Sequence, residues 1–180
     1  MCREHRGDIA AVNSHDSGIR ICRADYGNTG HAVALVALLD ASAQDPLGGG
    51  HRLSDFARSN LVQALADRPQ AFSVLAFDGP DESTPVGLVN CIEGFSTFAC
   101  QALVNIHDVV VLAAYRGRRI AQQMLVLVDC LARERGACKL TLEVLSGNTG
   151  AMHLYRRIGF ANYQLDPASG HAQFMQKWLD

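Results

Sequence analysis

Lysine is scarce in this 180-residue chain: of its 16 basic residues only Lys139 and Lys177 are lysines. Against 18 acidic residues the formal net charge is −2, which leaves no bulk attraction toward nucleic acid or an anionic membrane. No apolar run approaches the ~20 residues that span a bilayer. The first sixteen residues are polar and mixed in charge, without the apolar stretch of a signal peptide. The cysteines (Cys2, Cys22, Cys91, Cys100, Cys130 and Cys138) form no CxxC pair and no Cys/His spacing suited to zinc. Most lie in apolar runs, where a free thiol behaves as a small buried hydrophobe. A cytoplasmic setting without a metal is therefore expected. Two phosphate-binding signatures are also missing, the P-loop and the dinucleotide GxGxxG.

What is present is a chain 48% apolar, enough for an ordinary core. Residues 1–17 read as a loose N-terminal tail and 18–180 as one domain. Ile19–Arg23 alternates as a half-buried strand does. Gly30–Ala43 has helical 3–4 spacing with Thr29 as a candidate cap, and Ser54 opens a second helix to about Leu65. Strands follow over Phe72–Phe77, Val86–Phe95 and Leu103–Leu112, the last carrying the β-branched block Val109-Val110-Val111. A long helix over about Arg118–Arg135 sets Ile120, Met124, Leu127, Val128 and Leu131 on one face, and Gly136 stops it. Then come a strand over Lys139–Val144, a helix over Thr149–Ile158, and strands near Asn162–Leu165 and Ala172–Trp178. The order β-α-α-β-β-β-α-β-α-β-β predicts an α/β fold with a mixed central sheet flanked by helices.

The most informative chemistry lies where the Val block runs through Leu112-Ala113-Ala114-Tyr115 into Arg116-Gly117-Arg118-Arg119-Ile120-Ala121. A helix start presents unpaired N–H groups and a partial positive charge, which suits phosphate oxygens. Gly117 lets the backbone turn toward a ligand, and the small Ala121 allows close approach. Arg116, Arg118 and Arg119 supply charge for a polyphosphate. Taken alone, the segment is equally a solvated basic helix start.

Further on stands Asn148-Thr149-Gly150-Ala151-Met152-His153-Leu154-Tyr155-Arg156-Arg157-Ile158-Gly159-Phe160. Together the two segments resemble the GNAT superfamily of N-acetyltransferases. The later motif of that family, N-x-x-A-x-x-L-Y-x-x-x-G-F, is matched at every fixed position. In the cofactor motif Arg116 and Ala121 fit, whereas Arg119 stands where the family usually has Gly or Ala. The element order is similar over residues 19–178.

The resemblance implies acetyl-CoA as co-substrate. Its pantetheine arm would lie along Val109, Val110 and Val111 as an added strand, with an N–H near Val110 polarising the thioester carbonyl. Backbone N–H groups from Arg116 to Ala121, including Gly117, Arg118, Arg119 and Ile120, would hold the pyrophosphate, with Asn148 near the arm. Tyr155 resembles the general acid that protonates the departing thiolate; its structural alternative is a core tyrosine spaced with Ala151, Leu154 and Ile158. For the base that deprotonates the amine, His107 and Asp108 stand before the Val block. Strand alternation lets only one of the two face the cleft. Glu93 is a third candidate, while Glu143 and His153 read as structural and solvated. Asp45, in the glycine-rich loop after the first helix, and Glu93 are expected at the acceptor site, where acidic groups favour a cationic amine. The acceptor itself stays open between a small-molecule amine and a protein amine. A homodimer is the assembly the family suggests, and a non-catalytic acyl-CoA-binding module is the competing reading.

Overall fold

The computed structural model describes residues 11–13, 18–46, 48–163 and 173–179. The chain divides into two compact units, Met1–Glu143 and Val144–Asp180. The first holds a six-stranded sheet in sequence order: β1 (Ala11–Asn13), β2 (Ile19–Arg23), β3 (Ala71–Asp78), β4 (Thr84–Ser96), β5 (Gln101–Val111) and β6 (Leu140–Leu142). Neighbours from β1 to β5 pair antiparallel, and β6 joins β5 in parallel. β1 falls inside the stretch read as a loose tail, so the backbone of Ala11–Asn13 belongs to the sheet; residues 1–10 and 14–17 lie outside the described ones.

The helices lie on two sides of that sheet. α1 (Thr29–Gln44) and α2 (Asp55–Ala66) cover one face. There the apolar side chains of α1, Leu35 and Leu38, meet Cys22, Leu75, Phe77, Leu88 and Val110. α3 (Ile120–Glu134) covers the other face with its expected stripe, Ile120, Met124, Leu127, Val128 and Leu131, all buried. Each large aliphatic side chain so buried contributes about 1.5–3 kcal/mol.

Capping fixes where the helices begin. The side chain of Asn28, one residue before the expected Thr29, accepts from Gly30 N and His31 N at 2.8 and 3.2 Å. Ser54 caps α2 by accepting from Ala57 N at 3.1 Å. Gly136, at φ 72°, ends α3 in the left-handed conformation that glycine adopts without strain.

The second unit contains α4 (Thr149–Arg157), which Gly159 follows at φ 104°. The two final strands expected from the sequence are not formed in its described residues: 161–163 and 173–179 are irregular, and 164–172 fall outside. No helix among the described residues is long and apolar enough to cross a membrane.

Candidate active site

The register of β4 against β5 determines which way the candidate bases point. Cys91 pairs with Ile106, but its neighbour Asn90 pairs with Asp108, so His107 is an extra residue without a partner on β4. This β-bulge resets the alternation. Before it, Ile106 shares the α3 face with Cys91; after it, Asp108 shares the α1 face with Asn90, two residues from the core side chain Val110. The expectation that alternation alone would separate His107 from Asp108 is thereby corrected. Asp108 faces the side covered by α1 and α2 because of the inserted residue, and His107 at the bulge is exposed.

The bulge also marks where β5 loses its other neighbour. β6 pairs with β5 only over Val104–Ile106. Among the described residues no strand pairs with the outer edge of β5 from Asp108 through Val109, Val110 and Val111. An unpaired strand edge is a template for an extended ligand.

From this edge the chain passes through a 3-10 turn, Ala113–Tyr115, into the basic loop. Gly117 has φ 81° and Arg119, the N-cap of α3, has φ 60° and ψ 17°. A glycine at position 119 would suit this backbone: the chain is left-handed there, a conformation that costs an L-residue with a Cβ. Arg119 adopts it with its side chain exposed. The first ladder bond of α3 runs from Gln123 N to Arg119 O at 3.1 Å, so the N–H groups of Ile120, Ala121 and Gln122 precede the ladder.

Acidic neighbours partly neutralise the loop's charge. Arg116 donates to the Val111 carbonyl at 3.2 Å and pairs with Asp45 at 3.0 Å. Arg118 lies 3.8 Å from Asp78 and stacks over the Tyr115 ring at 5.1 Å. Asp45, expected at the acceptor site, therefore ties the α1–α2 loop to the basic loop. Glu93 is on the α3 face, paired with Arg135 at 3.0 Å. That corrects its expected place: alternation with Ile92, which packs on the α1 side, turns it away from Asp108.

The loop between α1 and α2 is itself anchored. The buried carboxylate of Asp40 accepts from Leu53 N at 2.9 Å and from two nitrogens of Arg52 at 3.2 and 3.1 Å. Burial pushes this carboxyl upward, but the Leu53 and Arg52 donors outweigh it and hold it below the usual carboxylate range.

In the second unit, Asn148 is the N-cap of α4, its side chain accepting from Ala151 N at 3.2 Å. Tyr155 is buried, edge-on to the Phe160 ring at 5.8 Å. Burial raises its phenol above the ordinary value, so it is a neutral hydroxyl at pH 7. His153 and Glu143 are both exposed.

Among the described residues one cluster brings metal-ligand atom types together, Cys22, His31 and Glu82. Its hydrogen bonds account for it without an ion. Asp25 N donates to His31 Nδ1 at 3.0 Å, so Nε2 carries the proton and donates to Glu82 at 3.0 Å. The guanidinium of Arg20 stands 3.0 Å from the other carboxylate oxygen.

The profile of the Acetyltransferase (GNAT) family matches residues 35–160, a span that contains the bulge, the basic loop and α4. The chain belongs to this family. The acetyltransferase is 38% identical over 132 residues to streptothricin acetyltransferase from Streptomyces lavendulae, covering 69% of this chain and 70% of that protein. Among solved structures it is similar to a probable acetyltransferase (TM-score 0.73, 20% identity, 89% of this chain and 99% of the other). It is also similar to an aminoglycoside acetyltransferase from an uncultured soil metagenomic sample (TM-score 0.70, 17% identity, 91% and 100%). At those identities the likeness to solved structures is one of fold.

Sequence reasoning missed the polar residues that adjoin Asp108 in this acetyltransferase. Ser73 and Asn90 are buried in strands that are otherwise apolar. A lone Ser between Phe72 and Val74, and a lone Asn between Val89 and Cys91, are the signals that could have found them, since a buried polar side chain requires a partner.

Proposed function

We propose that this acetyltransferase moves the acetyl group of acetyl-CoA onto the amine of a small cationic acceptor, by direct attack within a ternary complex. The observation that carries the proposal is the bulge at His107, which turns Asp108 to the α1 face where the outer edge of β5 loses its partner. Family membership supports the co-substrate, and streptothricin acetyltransferase supports an amine-bearing antibiotic as acceptor class. In this reading pantetheine adds to the open edge at Val109–Val111, and the N–H groups at the start of α3 bind the pyrophosphate with Arg116, Arg118 and Arg119.

Asp108 takes the ammonium proton of the acceptor, with exposed His107 beside it as the route to solvent. The freed amine attacks the thioester carbonyl; the C–N bond forms, the C–S bond breaks, and the thiolate takes its proton from Tyr155, whose phenolate is restored by the second proton that the nitrogen sheds on becoming an amide. The N–H near Val110 stabilises the oxyanion. Asn148 contributes by holding the start of α4.

The test is turnover of acetyl-CoA with a panel containing streptothricin, aminoglycosides, polyamines and a peptide with a free N-terminus, reading both thiol release and product mass. Acetylation confined to small polyamines and amino-sugar antibiotics is expected. Binding of acetyl-CoA with no acetylated product from any amine would favour a non-catalytic acyl-CoA module instead.

A further inference from the structure

A polar chain crosses the middle of the sheet and ends on Asp108. The Tyr26 hydroxyl lies 2.9 Å from Ser73 Oγ, Ser73 Oγ donates to Asn90 Oδ1 at 2.6 Å, and Asn90 Nδ2 donates to Asp108 Oδ2 at 2.9 Å. Ser73 and Asn90 are 0% and 5% exposed, so these groups depend on one another for their hydrogen bonds. The chain also has a direction. Ser73 uses its only proton on Asn90, which leaves the Tyr26 hydroxyl to donate to Ser73. With Oδ1 held by Ser73, the amide of Asn90 presents N–H, not oxygen, to the carboxylate; flipped, it would set oxygen against oxygen.

We propose that Asn90 is a positioning residue for Asp108, and that Ser73 and Tyr26 lock it in the orientation that does so. The inference rests on the reading of Asp108 as the base. An amide in the chain does not pass a proton along under ordinary conditions, so the chain orients the carboxylate and is not a proton wire. It holds Oδ2 and leaves the transferred proton to Oδ1. The Asp108 end depends on the bulge: were His107 paired opposite Asn90 in a regular ladder, Asp108 would fall opposite Val89, on the α3 face.

The test is a double-mutant cycle on single-turnover acetyl transfer, run on the full chain with acetyl-CoA and the best acceptor from the amine panel. Asn90→Asp keeps the shape and the acceptor for Ser73 but replaces the N–H facing Asp108 with oxygen. It should lower the rate constant at least tenfold while leaving the KM for acetyl-CoA unchanged. Ser73→Ala, which loses only the lock, should cost less than Asn90→Asp, and Tyr26→Phe least. In an Asp108→Asn background each of these substitutions should cost almost nothing further, because the group they orient is gone. If Asp108→Asn alone leaves the rate unchanged, the assignment of the base is wrong. If Asp108→Asn lowers the rate but the other substitutions cost the same in both backgrounds, Asp108 is the base and the positioning role is overturned. Should Asn90→Asp fail to fold, the Ser73→Ala and Tyr26→Phe cycles decide in the same way.

Discussion

Replacing Arg119 with glycine should stabilise the protein, although it removes a charge from the cofactor loop. Arg119 sits at φ 60° and ψ 17° as the N-cap of α3. A residue with a Cβ pays about 1–2 kcal/mol for that conformation, and glycine does not. Against this stands the larger conformational freedom of glycine in the unfolded chain, about 0.4–1 kcal/mol. The difference favours Arg119→Gly by up to about 1.5 kcal/mol, a few degrees in Tm for a chain of this size. Arg119→Ala removes the same charge and keeps the strain, so it separates the two effects. Arg119→Asn, which tolerates the left-handed region, should resemble glycine. Thermal unfolding of the four proteins measures this. If Arg119→Gly melts no higher than Arg119→Ala, the strain argument fails. Acetyl-CoA titration adds the second half: Arg119→Gly should change affinity modestly. Arg119→Glu should weaken it strongly, by an amount that shrinks as salt is raised. Tenfold tighter binding by Arg119→Gly would instead mark the arginine as an obstruction.

Tyr155→Phe should lower turnover by roughly 10²- to 10⁴-fold, the usual cost of losing a general acid, while acetyl-CoA affinity measured by titration stays put. The anchor at Asp40 makes an acid-stability prediction. Its carboxyl is lower in the folded than in the unfolded state, so its contribution is present above the unfolded value near 3.9 and is lost as pH falls through the folded value. Asp40→Asn should therefore reduce stability at neutral pH and flatten its fall in acid, as denaturant titrations across pH would record. Thiol labelling should divide the cysteines. Cys100 and Cys138 are exposed and should react within minutes. Cys22 is pushed up to about 11 by burial and then by the Glu82 charge, and Cys91 to about 12 by burial and then by Asp108, so both should react only on unfolding.

Local pattern was legible and pairing was not. The stripe from Ile120 to Leu131 announces α3 because one helix face is all it describes, and Asn148 through Phe160 announces the family because its fixed residues are contiguous. The bulge is different. Nothing in Ile106-His107-Asp108 says which residue is extra; that follows from which partners β4 offers across the ladder. Asp45 and Glu93 look available for a ligand in sequence, yet each is paired with an arginine far along the chain, Arg116 and Arg135. Arg119 was visible as a departure from the motif, but its cost lies in a dihedral angle, which sequence spacing does not encode.

The bulge gives β5 two parities. Up to Ile106 the even-numbered residues face α3; from Val109 onward the odd-numbered ones do. A relative aligned to this chain without a gap, but lacking the extra residue in its ladder, would carry the counterpart of Asp108 on the wrong side of the sheet however similar its letters. A relative that needs a one-residue gap opposite His107 would keep it on the right side. Along this strand an alignment gap is thus a statement about which face carries the acid, and identity at position 108 has chemical meaning only once the parity of the strand is known.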